Sequence, residues 1–373
     1  MKRILVLTVI LSVWFVAKGQ NATTSRNYIS STTYTAANGV SSIVDINYCD
    51  GLGYPVQKIS VAASPVGGNS IVTPVYYDNM RRESRKYLPY TATTSSGAYI
   101  SEALSGQVGF YNSLHGSEAD GYSYTENIYE ASPLDRVTGA YNVGSVYRTG
   151  IGIKSVFTYG ANTAGEVMLF KVDNSGMLTR SGNYNANTLH KNTTTNEDGL
   201  ETSTFTDFLG RVVLERTMGD KNTPFDTCYV YDDYGNLCYV LPPKLVELKT
   251  STSSSLSDTD ADMTALAYIY KYDSRNRCIE KRLPGAEPIY MVYDKGDRLV
   301  MTQDGNMRSN SARKWMYTEY DNLDRIVSQR IITGTSSRNT IQNSYNNASS
   351  TPYNPLASDF STIAVLSENS YGK

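Results

Sequence analysis

Residues 272–278 read Tyr-Asp-Ser-Arg-Asn-Arg-Cys, and residues 293–299 read Tyr-Asp-Lys-Gly-Asp-Arg-Leu. Each stretch opens on an aromatic residue and an Asp, passes through a short polar turn, and ends on Arg and an apolar residue. An Asp at the start of a tight turn accepts hydrogen bonds from backbone N–H groups a few residues later. Asn276 and Asp297, four residues after the Tyr, tolerate the positive φ that returns a strand. Each stretch therefore predicts a β-hairpin.

The same pattern recurs along the chain, with one inserted residue in the copies that begin at Tyr48 and Phe205 and a looser copy at 77–81. A single hairpin cannot bury its apolar face, whereas stacked hairpins can. We therefore predict an all-β fold of stacked antiparallel β-hairpin repeats. The residues that carry the motif are Tyr48, Asp50 and Gly53; Tyr77 and Asp78; Phe205, Asp207, Gly210 and Arg211; Tyr231, Asp232 and Gly235; Tyr272, Asp273 and Arg277; Tyr293, Asp294 and Arg298; and Tyr320, Asp321 and Arg325.

The composition agrees with this prediction and argues against nucleic acid as a partner. The 373 residues include 31 Tyr, against 8 Phe and 2 Trp, and Tyr favours the half-buried surface of a strand. The net charge is −2, and the basic residues are scattered. Nucleic-acid binding depends on a concentration of positive charge, which this chain lacks.

The first 19 residues are predicted to be a Sec signal peptide. Lys2 and Arg3 precede an apolar run at 4–17, and Ala17 and Gly19 fit the small-x-small rule for cleavage after Gly19. No Cys follows the apolar run, so a lipoprotein anchor is not expected. We therefore expect the mature chain to be secreted or placed at the cell surface.

Export permits disulfides, but the four Cys residues do not predict one. If 232–235 is a four-residue turn, Cys228 faces Tyr239 and Cys238 faces Tyr229. The two sulfur atoms then point to opposite faces of the sheet unless a bulge shifts the register. We therefore expect free, buried thiols.

No residue pattern predicts catalysis, a cofactor or a metal site. His115 and His190 stand alone, and no Cys-x-x-Cys occurs, so a zinc site is not expected. Asp258, Asp260 and Asp262 lack the Gly and the distant Glu of a calcium loop and are better explained as acids at a helix N-terminus. The other acids are mostly motif Asp residues, which turn capping explains. We therefore expect no enzymatic activity.

The Tyr-Asp-x-x-Gly-Arg-Leu pattern resembles the YD repeats of the Rhs (rearrangement hot spot) family. Leu-Pro pairs at 88–89, 241–242 and 283–284 match the style of bacterial members. Residues 48–56 and 129–137 resemble the domain of unknown function that precedes such repeats in Gram-negative bacteria. The resemblance implies an extended, curved sheet that winds into a shell around a C-terminal toxin or presents a surface module. An Rhs core motif, a self-cleaving aspartyl site and a toxin domain are not recognisable, so we expect a truncated or partial member.

Four segments are predicted along the chain: a signal peptide at 1–19, a pre-repeat β domain at 27–165, a YD-repeat strip at 200–335, and a poorly ordered tail or truncated next repeat at 336–373. The Gly-, Ser- and Asn-rich stretch 181–199 predicts a loop. One or two short helices are expected near 243–266, with Pro243 in a first helical turn and Ser257 or Asp258 as a cap.

Three functions are compatible with these sequence features. The first is an exported structural or scaffolding protein, part of an Rhs-type shell or cell-surface presentation protein, whose partner is the remainder of the full-length polypeptide or its C-terminal cargo. The second is a cell-surface adhesin or glycan-binding module that uses its Tyr-rich β surface. The third, a hydrolase, has the least support in the residues.

Overall fold

A computed structural model describes residues 22–35, 42–65, 67–148, 153–173, 175–220, 223–249, 255–309, 313–348 and 360–369. The predicted signal peptide lies outside the described residues. The chain divides into two compact units. Unit 1 comprises residues 1–157 and 195–199, and unit 2 comprises residues 158–194 and 200–373.

Unit 1 is built from antiparallel strands and one helix. Its elements are β1 (Asn27–Tyr34), β2 (Ser42–Cys49), β3 (Pro55–Val61), β4 (Ile71–Tyr76), β5 (Arg85–Tyr87), β6 (Tyr90–Thr91), α1 (Ala103–His115), β7 (Tyr124–Tyr129), β8 (Val137–Tyr141) and the start of β9 (Ser155–Ala161). Strands β1 to β4 pair in sequence order, β4 also pairs with β5 and β6, and β5 leads through β7 and β8 to β9. Ile46, Tyr48, Ile59 and Val72 form the fully buried centre of its core.

Unit 2 holds the longer run of hairpins. Its strands are β10 (Met168–Val172), β11 (Leu178–Asn183), β12 (His190–Thr195, which begins in unit 2), β13 (Glu201–Thr206), β14 (Val212–Met218), β15 (Pro224–Tyr231), β16 (Leu237–Leu241), β17 (Ser255–Leu256), β18 (Tyr268–Tyr272), β19 (Cys278–Arg282), β20 (Ile289–Tyr293), β21 (Leu299–Gln303), β22 (Lys314–Tyr320), β23 (Ile326–Thr333) and β24 (Ser361–Glu368). Its helices are α2 (Pro243–Lys249), α3 (Ala261–Leu266), α4 (Gly305–Arg308) and α5 (Arg338–Asn347).

The strands of unit 2 pair mostly with their neighbours in sequence. From β13 to β24 the order is sequential and antiparallel, except that β17 leaves the series and joins β10 and β11 in a small separate sheet. One buried cluster includes Phe205 and Tyr239, and a second surrounds Trp315. The predicted all-β fold of stacked antiparallel hairpins is confirmed, as are the short helices near 243–266.

Helix α1 was not predicted, because its two Gly residues and mixed polarity give no helical pattern. Tertiary packing explains it. A Cβ at Gly106 would lie 2.8 Å from the Tyr90 hydroxyl oxygen, so the absence of a side chain lets the helix approach that ring. The buried Gln107 donates from Nε2 to the Ser123 carbonyl at 2.9 Å.

The segment after 335, where we expected poor order or a further repeat, contains a helix and a strand. Ser337 caps α5 by accepting the Thr340 N–H at 3.2 Å, and Ile341 and Tyr345 are buried one helical turn apart. The Gln342 amide accepts the Tyr293 N–H at 3.0 Å and donates to the Tyr293 carbonyl at 2.7 Å, as a neighbouring strand would. Strand β24 then pairs with β23.

Two local predictions were wrong. The stretch 181–199 is not a continuous loop, because it contains the end of β11 and β12, whose Thr193 is buried and shares a 2.8 Å hydroxyl contact with Ser203. Helix α3 has Asp260, not Ser257 or Asp258, at its N-cap position. Instead of capping the helix, the Asp258 carboxylate accepts the Tyr239 hydroxyl at 2.7 Å.

The register of the hairpin around Asp232 also differs from the predicted one. A β-bulge between Val230 and Tyr231 places Cys228 opposite Leu241. The turn also contains a fifth residue, Asn236, so that Tyr231 pairs with Leu237 and not with Asn236. Cys228 and Cys238 are both buried and free, and burial raises the pKa of the Cys228 thiol to about 12.

Candidate functional site

The motif residues come together at the recurring turn. In each copy one oxygen of the Asp carboxylate, Oδ1, accepts hydrogen bonds from two backbone N–H groups. The donors are the residues two and four positions after the Asp, at 2.8–3.1 Å. The turns that share this geometry begin at Asp50, Asp78, Asp173, Asp207, Asp232, Asp273, Asp294 and Asp321. The carboxylate therefore fixes the backbone of all eight turns.

The residue three positions after the Asp has a positive φ in all eight turns. Four of these positions are Gly, including Gly53, Gly210 and Gly235 at φ of 88°, 82° and 86°. Asn276 and Asp297 hold the same conformation at 60° and 62°. Gly, Asn and Asp, which tolerate the left-handed region, thus occupy seven of the eight positions, and Arg81 occupies the eighth at a φ of 64°.

A β-bulge accompanies the motif aromatic residue. Register shifts occur immediately before Tyr231, Tyr272, Tyr293 and Tyr320, and immediately after Tyr48 and Phe205. A bulge places two residues of one strand opposite one residue of its partner and increases the local twist. The repeated bulge gives the hairpins the same entry geometry into the turn.

The motif Arg completes the turn. Its Nε donates to the second carboxylate oxygen (Oδ2) of its own Asp at 2.7–2.8 Å for Arg211, Arg277, Arg298 and Arg325. The looser copy at 77–81 proves complete, because Arg82 binds Asp78 in this way at 2.8 Å. In the turn of Asp232 the amide of Asn236 takes the same place at 2.9 Å.

Three of these Arg side chains also reach the next hairpin, and Arg82 does so through Nη1, which donates to Oδ1 of Asp135 at 2.9 Å. Nη1 of Arg277 donates to the Asp294 carbonyl at 3.1 Å and to Oδ1 of Asp297 at 2.9 Å. Arg298 repeats both contacts with Asp321 and Asp324, at 3.2 and 2.9 Å. One guanidinium thus joins the turn it closes to the turn that follows.

The motif Tyr provides a second link between neighbouring hairpins. Its hydroxyl donates to the carbonyl of the residue that begins the previous return strand. The four pairs are Tyr231 with Val212 at 2.9 Å, Tyr272 with Leu237 at 3.0 Å, Tyr293 with Cys278 at 2.8 Å, and Tyr320 with Leu299 at 3.0 Å. Burial raises the pKa of Tyr272 to about 12, which keeps this phenol a donor at neutral pH.

Cation–π contacts reinforce the same links. The guanidinium carbon of Arg211 lies 5.0 Å from the centre of the Tyr231 ring, and the corresponding distance from Arg277 to Tyr293 is 4.9 Å. Arg298 and Tyr320 repeat the contact at 5.3 Å. Contacts of this kind contribute about 0.5–1 kcal/mol at exposed sites.

The remaining motif residues have local roles. The Tyr48 hydroxyl donates to the Gly97 carbonyl at 2.7 Å, and the Tyr77 ring meets the Tyr54 ring edge-on at 5.8 Å. Phe205 has no hydroxyl and is fully buried, with the Arg216 guanidinium carbon 5.7 Å from its ring centre. Asp50 has no motif Arg of its own, and its Oδ2 accepts from Arg81 of the next turn at 2.7 Å.

The turn of Asp173 was missed in the sequence. Val172 precedes it where the other copies have an aromatic residue, Cys49 or Thr206, and Met177 stands where the other unit 2 turns have Arg or Asn. Only the spacing from Asp173 to Gly176 could have revealed it, since Gly176 has a φ of 81°.

The charge of the turn carboxylates depends on these contacts. Partial burial by itself raises the pKa of Asp207 and Asp273, but hydrogen bonds from the following Arg, through its N–H and its guanidinium, bring both pKa values below the ordinary range. For Asp321 the largest influence is the Arg325 backbone N–H, which lowers the pKa. These carboxylates are therefore ionised at neutral pH, and they already accept hydrogen bonds from groups within the chain.

The motif acids offer neither an evident nucleophile nor a metal site. Their oxygens accept from backbone N–H groups and from Arg or Asn side chains. In the part of the chain that the structure describes, no group of three or more His, Cys, Asp or Glu residues is arranged to hold a metal ion. Of Asp258, Asp260 and Asp262, the first pairs with Lys271 at 2.8 Å and the other two with Lys249.

Comparison with known proteins gives one family match, which covers less than half of the chain. Residues 21–161 match the family described as "Domain of unknown function (DUF6443)". No curated protein sequence matches the chain at a significant level. Among the described helices, none combines the length and apolar composition that a bilayer crossing requires.

Three solved structures align with most of the chain at low identity. "Crystal Structure of TcdB2-TccC3-TEV" has a TM-score of 0.46 and 14% identity, over 82% of this chain and 14% of that chain. "Crystal Structure of TcdB2-TccC3-Cdc42" has a TM-score of 0.47 and 14% identity, over 80% and 13%. "Crystal Structure of TcdB2-TccC3" has a TM-score of 0.46 and 13% identity, over 86% and 16%. The chain thus spans a small part of each, and at these scores the likeness carries no functional conclusion.

Replacing Tyr293 by Phe tests the hydroxyl link between hairpins. The change leaves the ring in place and removes the donor to the Cys278 carbonyl, so we expect a loss of about 0.5–1.5 kcal/mol in the free energy of unfolding, measured by urea denaturation. Tyr234→Phe is the matched control, because Tyr234 is 82% exposed at the tip of a turn. Equal effects of the two substitutions would contradict the link.

The lowered pKa values predict sensitivity to acid. A carboxyl group whose pKa is lower in the folded than in the unfolded chain stabilises the fold above its unfolded pKa, about 3.9, and loses this contribution as the pH falls toward its folded pKa. We therefore expect the urea midpoint to change little between pH 7 and about 5 and to fall below about pH 4. A midpoint that does not fall between pH 4 and 3 would show that these carboxylates do not stabilise the fold.

Proposed function

We propose that the chain is a structural, scaffolding part of an exported Rhs-type shell or cell-surface presentation protein, with no catalysis of its own. The observation that carries this proposal is the series of five hairpins from 201 to 333, joined by four Tyr hydroxyl bonds. Each hairpin contacts its neighbours and repeats the same turn. Such an array can be lengthened by adding units, as solenoid proteins are.

The use of the motif residues supports scaffolding over the glycan-binding alternative. In these hairpins the Tyr hydroxyls donate to backbone carbonyls, and three of the rings lie beneath Arg guanidinium groups. A ring that stacks on a sugar must offer a free face. The motif rings and hydroxyls are already engaged within the sheet.

The same residues support a role without catalysis. A general acid or base needs a carboxyl group whose pKa is close to the working pH, and a nucleophile needs a neighbouring base. Asp207, Asp273 and Asp321 have pKa values below the ordinary range and are bonded to the Arg residues of their own turns. These groups are suited to holding backbone in place.

The wider proposal concerns export and the partner. The basic pair at 2–3 and the apolar run at 4–17 support export by the Sec route, with cleavage after Gly19. The repeat strip would then act outside the cytoplasm, as a wall or stalk for the remainder of the full-length polypeptide or its C-terminal cargo.

An antibody against residues 200–335 can recover the polypeptide from fractionated native cells to test both parts. We expect it in an exported fraction with Gln20 at its N-terminus, and we expect any attached cargo to resist protease until denaturant opens the repeats. A product found only in the cytoplasm and beginning at Met1 would overturn export. An attached cargo digested equally fast with and without denaturant would overturn the shell, and a cargo-free product would overturn the carrier role.

A further inference from the structure

Unit 1 contains a cavity of about 200 Å³ that the repeat motif does not use. It lies between the C-terminal end of α1, the loop that follows this helix, and the start of β7. Leu88 and Val143 supply apolar parts of its lining, and none of the motif residues contributes. All of its lining residues fall within 21–161, the part of the chain that matches a family of unknown function.

Aromatic side chains form part of the wall. Tyr111 and His115 lie one helical turn apart on α1, and their rings are stacked with centroids 6.1 Å apart and planes inclined by 12°. The Tyr111 hydroxyl donates to the Pro89 carbonyl at 2.7 Å, which holds its ring in place. Tyr122, in the loop before β7, also lines the cavity, with the Arg148 guanidinium over its ring.

The charge of the lining is negative. Glu118 and Asp120 line the cavity, and no Lys or Arg does. The Asp120 carboxylate accepts the Tyr122 N–H at 2.9 Å and the Ser145 N–H at 2.6 Å, so it is fixed in position. Both bonds lower the pKa of Asp120, which keeps this carboxylate charged at neutral pH.

The nearest cation, Arg148, is bonded to other groups. The guanidinium carbon of Arg148 lies 5.1 Å from the centre of the Tyr122 ring. That guanidinium donates to the Asn142 carbonyl at 2.6 Å and to the Tyr124 carbonyl at 3.1 Å, and it shares Glu126, at 3.6 Å, with Arg85. Arg148 therefore directs its hydrogen bonds to backbone carbonyls and not to Glu118 or Asp120, which leaves both carboxylates open to a ligand.

Asn112, His115 and Glu118 are exposed residues of the lining, and their side chains make no hydrogen bond to another described residue. The buried polar groups at the base of the cavity are, by contrast, satisfied. The Ser123 hydroxyl donates to Gln107 at 2.9 Å, and the Ser123 carbonyl accepts from the Leu88 N–H at 3.0 Å. Groups able to bind a ligand are thus concentrated at the mouth of the cavity.

We propose that this cavity binds a small organic cation, an alkylammonium group, between the Tyr111 and His115 rings and the carboxylates of Glu118 and Asp120. Aromatic faces attract such cations, and nearby carboxylates add direct charge compensation. Pockets for drug-sized ligands measure roughly 300–1,000 Å³, so this cavity fits one side-chain-sized group and not a nucleotide. The cation can be a free amine or a basic side chain of a peptide.

Ligand-observed NMR on the full chain can test the proposal with three probes. These are butylammonium, Nα-acetyl-lysine N-methylamide, and the neutral isostere Nα-acetyl-norleucine N-methylamide. We expect saturable binding of at least one cation and none of the neutral amide. Binding of both cations identifies the charged group as sufficient, and binding of the lysine probe alone assigns the site to a peptide. Binding of the neutral amide as strong as that of the cations, or no binding of either cation, overturns the proposal.

Substitutions locate the site. Glu118→Gln should weaken binding about 3-fold, as expected for an exposed ion pair, and addition of Asp120→Asn should weaken it further. Glu83→Gln makes the same charge change at an exposed position outside the lining and should leave the affinity unchanged. Glu118 has no internal partner, so the variant is expected to fold, and its thermal unfolding checks this. An affinity that is equal in Glu118→Gln, the double variant and Glu83→Gln overturns the assignment to this cavity.

Discussion

The hydrogen bonds of one carboxylate in each turn are the constraint on which the repeat structure depends. An Asp oxygen accepts two backbone N–H groups that the turn would otherwise leave unpaired, and the residue before the second donor takes a positive φ. A buried or half-buried donor without a partner costs about 1–3 kcal/mol, so the Asp decides whether the chain can reverse at that point. The Tyr and Arg side chains add contacts to a turn whose backbone the Asp carboxylate holds in place.

Neighbouring hairpins are not independent of one another. The guanidinium of Arg298 bonds to Asp294 in its own turn and to Asp321 and Asp324 in the next, and the Tyr320 hydroxyl bonds back to Leu299. Stability is then the sum of hairpin terms and nearest-neighbour terms, as in other repeat proteins. This coupling is what a scaffold requires, because it lets a strip of weak hairpins behave as one sheet.

The motif made the hairpins and their turn chemistry predictable, because both depend on residues within five positions of the Asp. Features that depend on distant contacts were not predictable. Helix α1 exists because Gly106 meets Tyr90 and Gln107 meets Ser123, and the cavity beside it combines residues from 88 to 144. The register around Tyr231 differs from the predicted one for two reasons: the turn contains one more residue than the spacing alone indicates, and the bulge before Tyr231 adds a second one-residue shift. Helix α5 did carry local signals, Ser337 as a cap and Ile341 and Tyr345 at helical spacing, but the polar composition around them concealed the pattern.

Hydrogen exchange of the turn amides in Arg298→Ala tests the central claim most directly, because Arg298 closes one turn and holds the next. The coupling of hairpins predicts faster exchange of the backbone amides at Gly296 and at position 298 itself. It also predicts faster exchange at Leu323 and Arg325 in the following turn, whereas exchange in the distant turn at Asp207 should be unchanged. Faster exchange confined to 294–298, with 321–325 as protected as in the unsubstituted chain, would contradict it.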